Sequence, residues 1–180
     1  MKKKTMMELH RISCEEFKQA RKIPLVVVLD DVRSLNNIGS VFRTCDAFVV
    51  QRIVLCGITA TPPHPDIHKT ALSAEFSVEW VYCKDITEAI EHLHDEGCVV
   101  CAIEQVNGSV SLDEFEIVPG KQYAVILGNE VKGVCQQAVD MCDYCIEIPQ
   151  YGTKHSLNVS ISGGIVVWHF FNKMRLFTDL

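Results

Sequence analysis

The sequence predicts an α/β fold: a mainly parallel sheet with helices on both faces. Three observations predict it. Apolar runs such as Leu25 to Leu29 and Tyr123 to Leu127 show no polar alternation, the mark of strands buried on both sides. Between such runs lie segments whose apolar residues recur at three- and four-residue intervals, so strand and helix alternate along the chain. Polar blocks with glycine or proline close several of the runs, at 36–44, 127–133 and 148–160. In parallel sheets, ligands are held by the loops that leave strand ends.

Taken in order, Glu15 to Arg21 fits a short amphipathic helix, and Pro24 introduces the first strand, which stops at Asp30-Asp31. From Asn37 the residues Ile38, Val41, Phe42, Cys45 and Val49 form one apolar stripe of a helix, with Asn36, Ser40 and Arg43 on its other side. Further strands are predicted at Arg52 to Cys56, Val78 to Tyr82, Cys98 to Glu104, Tyr123 to Leu127 and Cys145 to Ile148. Helices are predicted at Ile67 to Ala74, Ile86 to His94 and Leu157 to Leu176, with long loops at Thr59 to Asp66 and Asn107 to Gly120. Residues 23–180 read as one domain, preceded by a basic extension with a short helix at 1–22.

Composition narrows the function. The hydrophobic content of 48% over 180 residues supports a full core. The longest apolar stretches, Ile23 to Leu29 and Ile161 to Val167, fall short of the roughly twenty residues a membrane helix needs. MKKKTMMELHR lacks the apolar segment of a secretory signal. Nine cysteines without such a signal point to reduced thiols in a cytoplasm. The Cys98/Cys101 and Cys142/Cys145 pairs do not read as a zinc site, because residues three apart on a strand face opposite ways. His64 and His68 read as loop residues, and no metal is expected. The net charge is −6, but residues 1–22 hold seven Lys/Arg against three Asp/Glu while 75–120 hold one against eleven. A basic arm and an acidic flank follow, the arm being suited to phosphates or simply solvated.

No GxGxxG, GxxxxGK[ST] or GxSxG pattern is present, which argues against dinucleotide, P-loop and nucleophile-elbow chemistry. The three polar blocks instead supply Asn, Ser, Arg and Glu around glycines, a set that hydrogen-bonds a polar ligand and orients a weak nucleophile. NNIGSVFRTCDAF, LGNEVKG and IPQYGTKHSLNVSIS, in this order, resemble the three motifs of the SpoU (TrmH-like) branch of the SPOUT RNA methyltransferases. The resemblance runs from about Pro24 to Arg175. It implies a C-terminal deep trefoil knot, a homodimer, S-adenosylmethionine as cofactor and 2′-O-ribose methylation of tRNA or rRNA.

The same resemblance implies catalytic roles for Asn37, Arg43, Glu130, Ser156 and Asn158. It implies cofactor contacts for Ile103, Glu104, Leu127, Gly128, Ile148 and Leu157, with Gly128 and Gly133 allowing close approach or positive φ. Taken singly, each polar residue has an ordinary use: Asn37, Ser156 and Asn158 as helix caps, Glu130 in a turn, Arg43 in water. Arg33, Arg52, Lys69, Lys154 and the basic arm are candidate RNA contacts. The chain departs from the family pattern with Val49 after AF where glycine is common, Gln150 in place of methionine, and His155 in place of an acid. Two other readings stay open: an RNA-binding protein of the same fold without catalysis, and an oxidoreductase with an unusual dinucleotide site.

Overall fold

The structure is a computed structural model describing residues 1–5, 7–9 and 11–178. Helix α1 (Cys14–Gln19) opens with a reciprocal cap: the Ser13 hydroxyl accepts from the Glu16 N–H at 3.2 Å, and the Glu16 carboxylate accepts from the Ser13 N–H at 2.7 Å. Its Phe17 is buried in the main core. The chain continues through β1 (Ile23–Asp30), α2 (Leu35–Ala47), β2 (Val50–Cys56), α3 (Pro65–Ala71), α4 (Ala74–Ser77) and β3 (Glu79–Cys83). Then come α5 (Ile86–Asp95), β4 (Cys98–Ile103), β5 (Val110–Ser111), β6 (Gln122–Leu127), α6 (Gln136–Met141), β7 (Tyr144–Glu147) and α7 (Val159–Met174).

Among the described residues these strands form one seven-stranded sheet in the order β3-β2-β1-β6-β4-β7-β5, with every strand pair parallel. Successive residues of the central strands feed opposite cores. Leu25, Val27, Leu29, Val125 and Leu127 pack with Phe42 of α2 and Val166, Val167 and Phe170 of α7. Val26, Val28, Ala124 and Ile126 pack with Ile90 and Leu93 of α5 and Ala138 of α6. Both faces are therefore covered, which is why β1 and β6 carry the uninterrupted apolar runs Leu25 to Leu29 and Tyr123 to Leu127. Cys98 lies in the second core and Cys101 in the first, on opposite faces as strand geometry requires, and all nine cysteines are free thiols.

Several boundaries differ from those the sequence predicts. The helix predicted over Ile67 to Ala74 ends at Ala71, because Leu72 and Ser73 take positive φ (51° and 75°) and break the chain into α3 and the single turn of α4. Val49 is not the last residue of the α2 stripe: the helix stops at Ala47, and Val49 has φ 46°. The final helix begins at Val159 rather than Leu157, since Asn158 is its cap. The two-residue β5 and the six-residue α6 fall in segments with too little periodicity to predict.

The sheet order puts β1 next to β6. From β1 the chain leads through α2 to β2 on one side, and from β6 through α6 toward β7 on the other. The loops after β1 and β6 thus diverge at the sheet's carboxyl edge and leave a crevice, the usual ligand position of an open parallel sheet.

Candidate active site

The three polar blocks meet in that crevice. Glu130, in the loop after β6, reaches across to the start of α2: its two carboxylate oxygens accept from the backbone N–H groups of Arg33 (3.0 Å) and Ser34 (2.9 Å). The Asn37 side-chain amide donates to the same carboxylate at 3.1 Å, and its carbonyl oxygen accepts from Asn158 Nδ2 at 3.1 Å. Asn158 in turn caps α7, its Oδ1 accepting from the Ser160 N–H at 2.9 Å and the Ser160 hydroxyl at 2.7 Å. One side-chain relay, Glu130 to Asn37 to Asn158, therefore joins residues separated by 93 and 121 positions in sequence. Burial works to raise the Glu130 carboxyl, but the two backbone donors and the Asn37 amide outweigh it and hold the group below its ordinary range, ionised at neutral pH.

Beside the relay lies an open cavity of about 520 Å³, a size ordinary for small-molecule sites. Ile103, Glu104, Leu127, Gly128, Ile148 and Leu157, the six positions singled out for the cofactor, all line it, as do Glu130 and Ser156. Its apolar wall is built from strand ends (Ile103, Leu127) and from the loop after β7 (Ile148, Leu157). Its polar wall is the loop after β6. That loop is folded tightly on itself: Asn129 and Gly133 exchange backbone hydrogen bonds, and the Asn129 side chain accepts from the N–H groups of Val131 and Lys132.

Gly133 takes φ 69°, and a Cβ there would sit 2.0 Å from the Glu104 carboxylate; a Cβ on Gly128 would meet the Gly133 backbone at 2.2 Å. Gly133 thus uses the positive φ that the resemblance suggested. Gly128 has ordinary φ and is glycine because the returning loop lies against it. Glu104 accepts from the N–H groups of Val134 and Gln105, both at 2.9 Å, so its carboxylate braces this loop.

Arg43 is the exception. It is exposed on α2, lines a separate shallow depression with Cys14, Asp46 and Leu72, and does not border the 520 Å³ cavity. Six residues of helical rise carry it about 9 Å along α2 from Asn37. The Arg43 guanidinium is therefore not at the junction of the three blocks of its own chain. Arg52, a candidate RNA contact, is also occupied: it forms an ion pair with Glu96 and its side chain is 16% exposed. Arg33, Lys69 and Lys154 are exposed.

Two participants escaped the sequence reading. Asn129 donates from Nδ2 to the Asp31 carbonyl at 2.8 Å, tying the loop after β6 to that after β1. Its place in a Gly-Asn-Glu turn was a usable signal, since asparagine commonly bonds backbone two residues on. Gln105 Nε2 donates to the His155 carbonyl at 2.9 Å across 50 residues, and no local pattern announces it. Among the described residues, no group of three His, Cys, Asp or Glu side chains is placed to hold a metal ion, and no helix is long and apolar enough to cross a membrane.

The chain and its fold are similar to those of known proteins. The model of the SpoU rRNA Methylase family matches residues 24–168. A Staphylococcus saprophyticus protein assigned to the TrmH family of tRNA/rRNA methyltransferases is 26% identical over 158 residues, covering 88% of this chain and 62% of that one. The chain therefore spans less than two thirds of the length of the curated relatives it first matches. An AdoMet-bound rRNA methyltransferase from Sinorhizobium meliloti superposes with a TM-score of 0.78 at 25% identity, covering 87% of this chain and 59% of that one. The A. aeolicus TrmH/SpoU tRNA-modifying enzyme, 23% identical, superposes with a TM-score of 0.79 over 91% of this chain and 82% of its own, and shares the fold. With its three motif blocks gathered at one edge of a parallel sheet and its family match spanning most of its length, the chain belongs to the SpoU rRNA Methylase family.

Proposed function

We propose that the protein transfers a methyl group from S-adenosylmethionine to a ribose 2′-hydroxyl of structured RNA, tRNA or rRNA, as a homodimer. The observation that carries this reading is the relay of Glu130, Asn37 and Asn158 beside a cavity with one apolar and one polar wall. The cavity's chemistry fits a bent nucleoside: Ile103, Leu127, Ile148 and Leu157 would enclose the adenine, and the backbone of Gly128 and Asn129 would meet polar groups without a side chain intervening. When bound, the sulfonium of the cofactor supplies an electrophilic methyl group. The chain's own task is then to align the RNA hydroxyl with it and keep water out.

Asn37 uses both ends of its amide inside the relay, so it is a positioning residue, held by Glu130 and holding Asn158. Ser156, which borders the cavity, is the hydroxyl nearest in kind to a substrate contact. Arg43 is assigned to clamping the phosphate next to the target ribose rather than to proton removal, since guanidinium stays protonated in proteins. Its distance from its own cavity supports a role in the cavity of a partner chain. Dimerisation is supported by α7, where Ile161, Ile165 and Trp168 leave 55%, 38% and 49% of their surfaces exposed along one stripe. RNA as the substrate is supported by Arg33, Lys132 and Lys154, exposed cations on the loops around the crevice. The C-terminal knot and a cytoplasmic location belong to this reading.

The test is transfer of tritium from labelled S-adenosylmethionine to bulk tRNA and rRNA, followed by alkaline hydrolysis. Label in alkali-resistant dinucleotides is expected, because a methylated 2′-oxygen cannot attack its phosphate. Label on bases, or RNA bound without label, would overturn the assignment. Arg43→Lys should lose about tenfold or more in turnover, as a point charge cannot replace a forked contact.

A further inference from the structure

Tyr151 is 98% exposed, more than any other aromatic among the described residues. Such a ring gives up the stabilisation that burial would bring, and nothing in this chain compensates it. Its position is specific. It follows Gln150 and precedes His155, Ser156 and Leu157, all four of which line the 520 Å³ cavity.

The strap that carries it is fastened at both ends. Before it, Ile148 packs against the main core. After it, the His155 carbonyl accepts from Gln105 at 2.9 Å and Asn158 bonds Asn37 at 3.1 Å. The exposed ring is therefore carried on the segment between cavity-lining Gln150 and His155, with exposed Lys154 three residues on and exposed Lys132 on the loop after β6, which also lines the cavity. An exposed ring on a segment that also carries a cation offers a nucleotide a stacking surface for its base and a charge for its phosphate.

We propose that Tyr151 is a stacking platform for an unpaired nucleobase next to the ribose being methylated. The inference rests on the RNA-methylation reading and deepens it: the substrate is a loop or bulge, because bases in an A-form helix are stacked on each other and closed to an aromatic side chain. Selectivity would come from whether the flanking base is free, and only weakly from which base it is.

The experiment uses the full chain and a nine-nucleotide single-stranded RNA carrying 2-aminopurine at its centre, with bulk tRNA as methyl acceptor in parallel. The parent is expected to quench 2-aminopurine fluorescence on binding. Tyr151→Phe should keep the quench, and Tyr151→Ala should abolish it and weaken RNA binding about tenfold or more. In methyl transfer, Tyr151→Ala should raise KM for RNA and leave S-adenosylhomocysteine affinity unchanged, a split that a general folding defect would not produce. Absence of quenching by the parent, or equal RNA affinity of parent and Tyr151→Ala, overturns the proposal while transfer by the parent still stands. Loss in Tyr151→Phe equal to that in Tyr151→Ala also overturns it, since the hydroxyl and not the ring would be recognised. Failure of the parent to bind S-adenosylhomocysteine or to methylate bulk RNA would instead sink the methyltransferase reading itself.

Discussion

Asp30 and Glu130 are carboxyls near the carboxyl ends of adjacent strands, and their surroundings push them in opposite directions. Around Asp30 burial dominates, with the charges of Asp31 and Asp85 adding to it, and the group rises to about 6. Unfolded, it titrates near the ordinary value of about 3.9. Between these limits the folded chain holds a proton that the unfolded chain has lost, so stability falls as pH rises through this window and the loss is complete above about 6. For Glu130 the lowered folded value reverses the sign: its contribution is present at neutral pH and fades as pH falls below the ordinary carboxylate range. Asp30→Asn should therefore be more stable than the parent at pH 8 by about 1–2 kcal/mol and nearly equal to it at pH 4. Urea unfolding at the two pH values measures this, and an equal gain at both would remove ionisation as the cause. Val49 is a residue the sequence flagged for a reason the backbone supplies: at φ 46° a β-branched side chain is strained where glycine would not be. The strain itself was not legible, because residue type does not report φ when a neighbouring packing contact overrides preference.

At the scale of elements, the packing of α2 on α3 explains a glycine inside a functional motif. Gly39 faces α3, where a Cβ would lie 2.3 Å from the Ile67 carbonyl oxygen and 2.2 Å from Thr70 Oγ1. The Thr70 hydroxyl completes the contact by donating to the Asn36 carbonyl at 3.1 Å. Gly39→Ala gains helix propensity of about 1 kcal/mol, yet overpacking against a backbone oxygen costs about 2–3 kcal/mol, and α2 must shift to relieve it. The expected result is a net loss of about 1–2 kcal/mol in thermal unfolding, with a weaker cofactor-product affinity because Asn37 moves with the helix. Unchanged stability would mean the helices separate freely. Elements with strong periodicity, α2 and α5 among them, were legible because the apolar stripe alone fixes the buried face. The break at Leu72 and Ser73 was not, since two left-handed residues without glycine leave no compositional trace. The relay was legible as residue types but not as a bonded chain, because hydrogen bonds spanning 93 and 121 positions depend on sheet order.

At the scale of the whole molecule, Arg43 is exposed on α2 while the cavity it is proposed to serve lies elsewhere on the same chain. A two-fold contact through the apolar stripe of α7 would give both features one cause: each chain buries Ile161, Ile165 and Trp168 and lends its Arg43 across the axis. Ile165→Glu should then yield a folded monomer in sedimentation velocity, with RNA methylation lost and the parent dimeric at the same concentration. A mixing experiment separates a lent arginine from a local one. Arg43→Ala retains a sound cavity, and Leu157→Arg, which fills the cavity from an exposed position, retains a sound arginine. Each alone should be inactive. Co-refolded in equal amounts, half of the dimers are mixed, and each mixed dimer pairs one open cavity with one intact arginine, so activity should return to about a quarter of the parent's if Arg43 acts across the interface. If Arg43 acts within its own chain, every cavity in the mixture lacks one component, and no activity returns.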